Sequence, residues 1–319
     1  MFVRGNIGHR TGVEFGTITD ATIGLIMREC AVRAIRTIRR LRFNAEGTIK
    51  GIKPNGKPDW VSKADPEAQK MYLKLLQEHF PGIGVIAEEE ELRVPCTIPG
   101  LNAYFTVDPL DGTQAYLRKQ SDSVGTMISL VVDGNVVAVC IGDVMTNELY
   151  YFRPGSVKTH WIDLDNNSEP PQQLEIDPNR TLQDQYLLLR DPVDRLRSKE
   201  LLKFMVQEDK GLVENYLIAC GSIGITTAKL WKGEVGAAVL SGQKSTPWDD
   251  NPVIGMSLRL GFLAYKLLVK PTVRIVSTEL HPTEQVNVAE HDVLLIHKSR
   301  RAELAKWCET RHIELIDRH

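Results

Sequence analysis

VDPLDGTQAYL (Val107–Leu117) follows the apolar run AYFT (103–106) and sets two aspartates, Asp108 and Asp111, three positions apart around a proline, with Gly112 and Thr113 directly behind. Asp-Pro-Leu-Asp-Gly suits a type I turn, and as a pentapeptide it needs no further explanation. Its position asks for more. Both carboxylates stand where a strand ends, the edge at which α/β proteins gather their chemistry. Gly112 lets the backbone come close to a ligand, and Thr113 opens a helix whose free N–H groups attract an oxyanion. Hard carboxylate oxygens with no imidazole or thiolate beside them select Mg²⁺, with Mn²⁺ as a substitute.

A site for two or three such ions needs acids from elsewhere in the chain. GVIAEEEEL (84–92) runs a short strand into four glutamates, which places Glu88 at the same cleft, whereas Glu90 and Glu91 read as a solvated charge run. In TPWDDNPVIGM (246–256), Asp249 opens a helix and is either a ligand or a plain N-cap; Asp250 is a spare ligand or a first-turn acid favoured by the helix dipole. Asp65, before Pro66, reads as the cap of a second helix, a role that leaves one carboxylate oxygen for other work.

The bulk numbers restrict the alternatives. The chain has 319 residues, 42% hydrophobic and 25% charged, with a net charge of −2. That describes a globular protein with no general attraction to nucleic acid or anionic membranes. Five widely spaced cysteines without a C-x-x-C pair fit reduced thiols and a cytoplasmic location. The first residues lack the apolar core of a signal peptide, and the apolar stretch 127–144 is broken by Asp133, Gly134 and Asn135, so no membrane span is expected. The arginines of VRAIRTIRRLRF (32–43) spread around a helix without interleaved aromatics, as a solvated face or a subunit contact rather than a nucleic-acid site.

The elements divide into two patterns. From 19 to 43 the chain predicts a long helix capped by Thr19 or Asp20, with Ile23, Ile26, Met27, Cys30, Ala34 and Ile38 as its apolar stripe. GTIKGIKPNGKPDW (47–60) reads as a loop, either ordinary or a lid bearing Lys53 and Lys57. Three strands meander over 125–152, and 153–180 reads as an insertion or connection. Beyond it strand and helix patterns alternate. The expectation is an α+β half over 1–152 and an α/β half over 153–319.

WVSKADPEA (60–68), FPGIGVIAEEE (80–90), VDPLDGTQAY (107–116) and PWDDNPVIGMSLRLGF (247–262), with the weaker GSIGITTAKLWKGEVGAAV (221–239) between the last two, resemble in order and spacing the inositol monophosphatase superfamily. These are Mg²⁺-dependent, lithium-sensitive phosphomonoesterases that also include 3′(2′),5′-bisphosphate nucleotidases and fructose-1,6-bisphosphatase. The resemblance implies a layered αβαβα sandwich of the sugar-phosphatase type and a homodimer that hydrolyses a small phosphorylated metabolite by attack of activated water. It implies that Glu88, Asp108, Asp111, Asp249 and the Leu110 carbonyl ligate the metals, and that Asp65 and Thr113 activate the attacking water. The N–H groups of Gly112 and Thr113 would hold the phosphate, with Glu89 as an auxiliary.

Departures from the family pattern bear on the substrate. Ala87 replaces a glycine. Where inositol-specific members place an acid before the tryptophan, this chain reads LSGQKSTPWD (240–249), so Gln243 and Lys244 become the candidates on the substrate side. Lys244 is either a partner for a second anionic group or a solvated lysine. Inositol phosphate and a nucleotide or sugar bisphosphate both stay open as substrates.

Overall fold

The apolar stripe of the first long segment and the all-apolar run before the aspartate corner set the first layers. The computed structural model describes residues 18–52, 56, 58–166, 169–206, 210–241 and 244–319. Helix α1 (Asp20–Leu41) begins at Thr19, whose hydroxyl accepts the Thr22 N–H, and buries Ile23, Met27, Cys30, Ala34 and Ile38. Of its arginines, Arg36, Arg39 and Arg40 are exposed, while Arg28 stacks on the Tyr151 ring. Helix α2 (Ala64–His79) packs beside it. The segment 47–60, expected as a loop, instead lies in a hairpin of β1 (Gly47–Ile52) and β2 (Pro58–Ser62). Its glycines, prolines and lysines hid the strand alternation. Lys53 and Lys57 lie outside the described residues.

The main sheet is built from β3 (Gly84–Ala87), β4 (Arg93–Val94), β5 (Ala103–Asp111), β6 (Gly125–Val132), β7 (Asn135–Asp143), β8 (Glu148–Phe152), β9 (His160–Asp163) and β10 (Gln172–Gln173). Their order is β10-β9-β8-β7-β6-β5-β3-β4. Residues 153–180, expected as an insertion or connection, thus extend one side of the sheet by β9 and the edge strand β10. The short helix α3 (Thr113–Leu117) leaves the end of β5.

A second sheet follows from β11 (Tyr186–Leu189), β12 (Asn215–Ile218) and β13 (Ala237–Leu240), which are parallel to one another. Strand β14 (Lys244–Ser245) stands apart and pairs with β17 (Asn287–Val288), while β15 (Phe262–Leu268), β16 (Arg274–Thr278), β18 (Asp292–His297) and β19 (Glu314–Ile316) complete the order β12-β11-β13-β18-β15-β16-β19. The helices of this part are α4 (Lys199–Met205), α5 (Ile223–Trp231), α6 (Pro247–Arg259) and α7 (Arg301–Thr310).

Three large apolar clusters, the middle one reaching both faces of the α5–α6 layer, and a small fourth around Tyr104 and Trp248 fill the space between five layers. One fills the space between α1 and α2 and the main sheet, centred on Ile35, Tyr72, Phe105 and Val107. The next joins the main sheet to the second through α5 and α6, with Met127, Ile141, Trp231, Met256 and Leu295. The third lies under α4 and α7, with Leu202, Leu267, Ile296 and Trp307. The architecture is the αβαβα sandwich. Strand β5 is buried along its whole length because helices cover both faces of its sheet, which explains its unbroken apolar reading.

Candidate active site

The end of β5 resolves the question of the two aspartates by register. Successive side chains of a strand alternate faces, so positions three apart point in opposite directions. Asp108 lies opposite Met127 on β6, yet Asp111 lies opposite Gly125, so three steps on β5 match two on β6. This one-residue bulge returns both aspartates to one face. Asp108 shares the parity of Tyr104, which packs on Trp248 of α6. The bulged corner therefore opens toward the first turn of α6.

There the acids meet. One carboxylate oxygen from each of Asp108, Asp111 and Asp249 lies within 4.8 Å of the other two. Asp108 and Asp111 are only 2% and 6% exposed. The Leu110 N–H donates to Asp108 Oδ1 at 3.0 Å, which folds the corner over the carboxylate. Asp111 Oδ2 accepts the Ser222 hydroxyl at 2.5 Å and the Gly224 N–H at 3.0 Å. Asp249 is not the cap of α6. Thr246 occupies that position, and its hydroxyl donates to Asp249 Oδ2 at 2.7 Å.

Glu88 stands beside the trio, with one oxygen, Oε1, engaged by the Lys50 ammonium at 3.0 Å; the same ammonium lies 2.7 Å from Glu89. Glu89 is fixed through its backbone by Gln69 of α2, which accepts its N–H and donates to its carbonyl, each at 3.0 Å. Glu90 and Glu91 are exposed, as expected, and hold positive φ angles of 61° and 46° that turn the chain sharply out of the cleft.

Asp65 is likewise not a cap; it lies in the first turn of α2, after Lys63. Its Oδ2 accepts the Ser62 N–H at 2.9 Å and the Ser62 hydroxyl at 2.6 Å, and its Oδ1 accepts the Thr113 hydroxyl at 2.9 Å. The same hydroxyl lies 3.1 Å from the Leu110 carbonyl, which is its second acceptor. Gly112 turns the chain with φ of 89°, and a Cβ there would come within 2.5 Å of the Ser123 carbonyl and 2.7 Å of the Ser222 N–H. Only glycine fits. Beyond it the first-turn N–H groups of α3 have no partner within the helix.

Packing so many acids together has an electrostatic cost. Burial pushes Asp108 well above the usual carboxylate range, and the charges of Glu88, Asp111 and Asp249 add to the shift. Burial raises Glu88 to about 7, against the pull of Lys50 and with Asp249 and Glu89 adding to it. Asp111 rises to about 6 through burial and the charge of Asp249, with Arg190 acting in the opposite direction. Asp65 also rises to about 6, mainly through burial, although the Ser62 hydrogen bonds oppose it. Two or more divalent cations would remove this repulsion, and the donors fit them: among the described residues no histidine or cysteine joins the trio.

Three participants were hidden in the sequence. Lys50 was passed over for its loop neighbours. Arg190, after β11, carries no local signal. Ser222 reads as a simple cap and is one, accepting the Ile225 N–H at 3.0 Å, but the same hydroxyl also orients Asp111. Of the substrate-side candidates, Gln243 lies outside the described residues, and Lys244 lies in β14 opposite Val288.

A five-layer sandwich with this acidic corner at the end of a central strand is a protein of the sugar-phosphatase fold class. A family model, the inositol monophosphatase family, matches residues 25–250, and the chain belongs to that family. It is 34% identical over 92 residues to "Nus factor SuhB" of Xylella fastidiosa, across 29% of this chain and 31% of that protein. It is 29% identical over 93 residues to "Inositol-1-monophosphatase" of Bacillus subtilis, across 29% of this chain and 34% of that one. These matches thus span about a third of the length of the curated relatives. Among solved structures, the extragenic suppressor protein suhB from Bartonella henselae superposes with a TM-score of 0.64 at 19% identity, covering 89% of this chain and 96% of that one, a likeness of fold. Among the described residues no helix is long and apolar enough to cross a membrane.

Proposed function

We propose that this protein is a Mg²⁺-dependent phosphomonoesterase that hydrolyses a small phosphorylated metabolite. The observation that carries the reading is the convergence of Asp108, Asp111 and Asp249 within 4.8 Å, beside a Thr113 hydroxyl bonded to Asp65 at 2.9 Å. In this reading Glu88, Asp108, Asp111, Asp249 and the Leu110 carbonyl hold the cations. Bound Mg²⁺ supplies charge neutralisation for a dianionic ester and acidifies a water molecule.

The chain's own residues do the rest. The Thr113 hydroxyl gives its proton toward Asp65 Oδ1 and keeps lone pairs to accept one from an attacking water. Ser62 fixes the other Asp65 oxygen, so the acceptor cannot rotate out of line. The N–H groups of Gly112 and Thr113 receive phosphate oxygens at the start of α3. Glu89 holds Lys50 at the rim. The first half of the chain supplies all of these groups except Asp249, which comes from the second half with the specificity surface, including Lys244. The same reading makes the protein a cytoplasmic, lithium-sensitive homodimer that binds neither nucleic acid nor membrane.

The test is a phosphate-release panel of inositol monophosphate, 3′-phosphoadenosine 5′-phosphate, fructose 1,6-bisphosphate and histidinol phosphate, run with Mg²⁺ and after chelation. Release from at least one ester that stops on chelation supports the reading. Silence on every ester, or release that survives chelation, refutes it.

A further inference from the structure

Arg190 directly follows β11, at that strand's C-terminal end. Its Nη2 donates to the Gly221 carbonyl at 2.6 Å. Gly221 precedes Ser222, the residue that orients Asp111, and packs where a Cβ on Gly112 would fall. The Gly221 peptide thus lies between the guanidinium and Gly112 of the proposed phosphate cradle. Asp250, in the first turn of α6, is one of the charges near the guanidinium. Asp250 itself is engaged by the Ser245 hydroxyl.

The arginine is under-used where it stands. Its Nε is buried without a hydrogen-bond partner, and among the described residues the guanidinium makes no ion pair. A partly buried guanidinium has five N–H donors in a planar fork and loses hydration that something must replace. Asp111 and Asp250 act on it as nearby charges rather than as contacts. Carboxylates and phosphates are what such a fork binds best, through paired charge-assisted hydrogen bonds.

We propose that Arg190 is a substrate-recognition residue that takes a second anionic group, a phosphate or a carboxylate, on an ester whose first phosphate sits at Gly112 and Thr113. The inference rests on the phosphomonoesterase reading for the placement of that first phosphate. The favoured substrates then carry two anions on one small scaffold, and Arg190 tells them from singly charged esters. Lys244 was the sequence's only pointer to such a group; Arg190 comes from a different part of the chain, directly after β11.

The test compares matched pairs: adenosine 3′-phosphate with adenosine 3′,5′-bisphosphate for a second phosphate, and glycerol 3-phosphate with 3-phosphoglycerate for a carboxylate. Equilibrium binding is measured by calorimetry in Mg²⁺ on an Asp65→Asn background, which lacks the proton acceptor, and KM and kcat are measured on the otherwise wild-type protein. At least one doubly anionic compound is expected to bind roughly 10- to 100-fold more tightly than its partner, with the difference in KM rather than kcat. Arg190→Gln should collapse that ratio to within about twofold. A purely structural arginine would move both members of a pair alike and keep the ratio, which overturns the inference, as does an Arg190-containing protein with no preference in either pair. If Arg190→Gln fails to fold, the exposed Cys220 decides: its thiol lies 3.7 Å from the Arg190 carbonyl. The preferred compound should slow its alkylation more than the singly anionic partner does, and equal protection overturns the inference. Absence of phosphate release with the binding ratio intact counts against the hydrolase reading alone.

Discussion

Individual residues here serve two purposes at once. The Thr113 hydroxyl has a single proton and two acceptors, Asp65 at 2.9 Å and Leu110 at 3.1 Å. Thr113→Ala should keep metal affinity and lower kcat by about 10²- to 10⁴-fold, the usual range for a lost acid–base group; an unchanged kcat in a stopped assay removes the relay. Lys50 is an internal cation at the rim, and Glu88 and Glu89 raise its pKa against the effect of burial. Lys50→Gln should move the midpoint of Mn²⁺ binding to lower concentration by roughly 3- to 30-fold, because a positive charge a few ångströms from the ligands is gone. A midpoint that stays put or moves upward contradicts that competition. The acids themselves were legible in the sequence because D-P-x-D-G-T, the glutamate pair and Trp-Asp recur in one order. Lys50 and Arg190 were not: a lone basic residue in a Gly-rich segment, or after a strand, looks the same whether it faces solvent or a cluster of carboxylates.

At the scale of elements, the site is made by two irregularities. The bulge in β5 brings Asp108 and Asp111 to one face, and the left-handed Gly112 turns the chain into α3. Gly112→Ala places a methyl group against two backbone atoms at a φ that L-residues rarely adopt. It should cost about 1–3 kcal/mol in denaturant unfolding and abolish turnover together; full stability with full activity contradicts the geometry. Alternation and helical stripes made α1, α2 and most later elements readable. The β1–β2 hairpin was missed because glycine and proline erased its period of two, and β15 and β16 because they lie between stronger patterns. Asp65, read as a cap, and Asp249, for which a cap was one of two readings, lie two and three residues past the caps Lys63 and Thr246, since an acid in a helix's first turn is favoured by the same dipole whether it caps or not.

The whole molecule bears the electrostatic cost of its cleft. Without metal, folding raises Glu88 to about 7 and Asp65 and Asp111 to about 6, well above unfolded carboxylates. From about pH 4 to those values the folded chain therefore holds more protons than the unfolded one, and the stability slope with pH is negative. The contribution of these groups is fully present at low pH and is lost as pH rises through 6 to 7. The chelated protein should melt at lower temperature at pH 8 than at pH 6. Asp108→Asn should raise that pH 8 melting temperature by about 2–6 °C, while the same change removes turnover. A chelated Asp108→Asn that melts no higher than wild type would show the cluster to be unstrained. The layered architecture was readable only through the motifs: periodicity alone gave an α+β pattern followed by an α/β one, without saying that both sheets share the α5–α6 layer.

The central claim is that carboxylates from β5 and α6, with Glu88 beside them, form one seat for divalent cations. The most direct measurement is a titration of chelated protein with Mn²⁺ at neutral pH, following free Mn²⁺ by electron paramagnetic resonance, for wild type and for Asp108→Asn. The account expects two or more ions per wild-type chain, displaced by excess Mg²⁺, and their loss or at least a tenfold weakening in the variant. A wild-type chain that takes up no Mn²⁺, or a variant that binds it as tightly as wild type, contradicts the account.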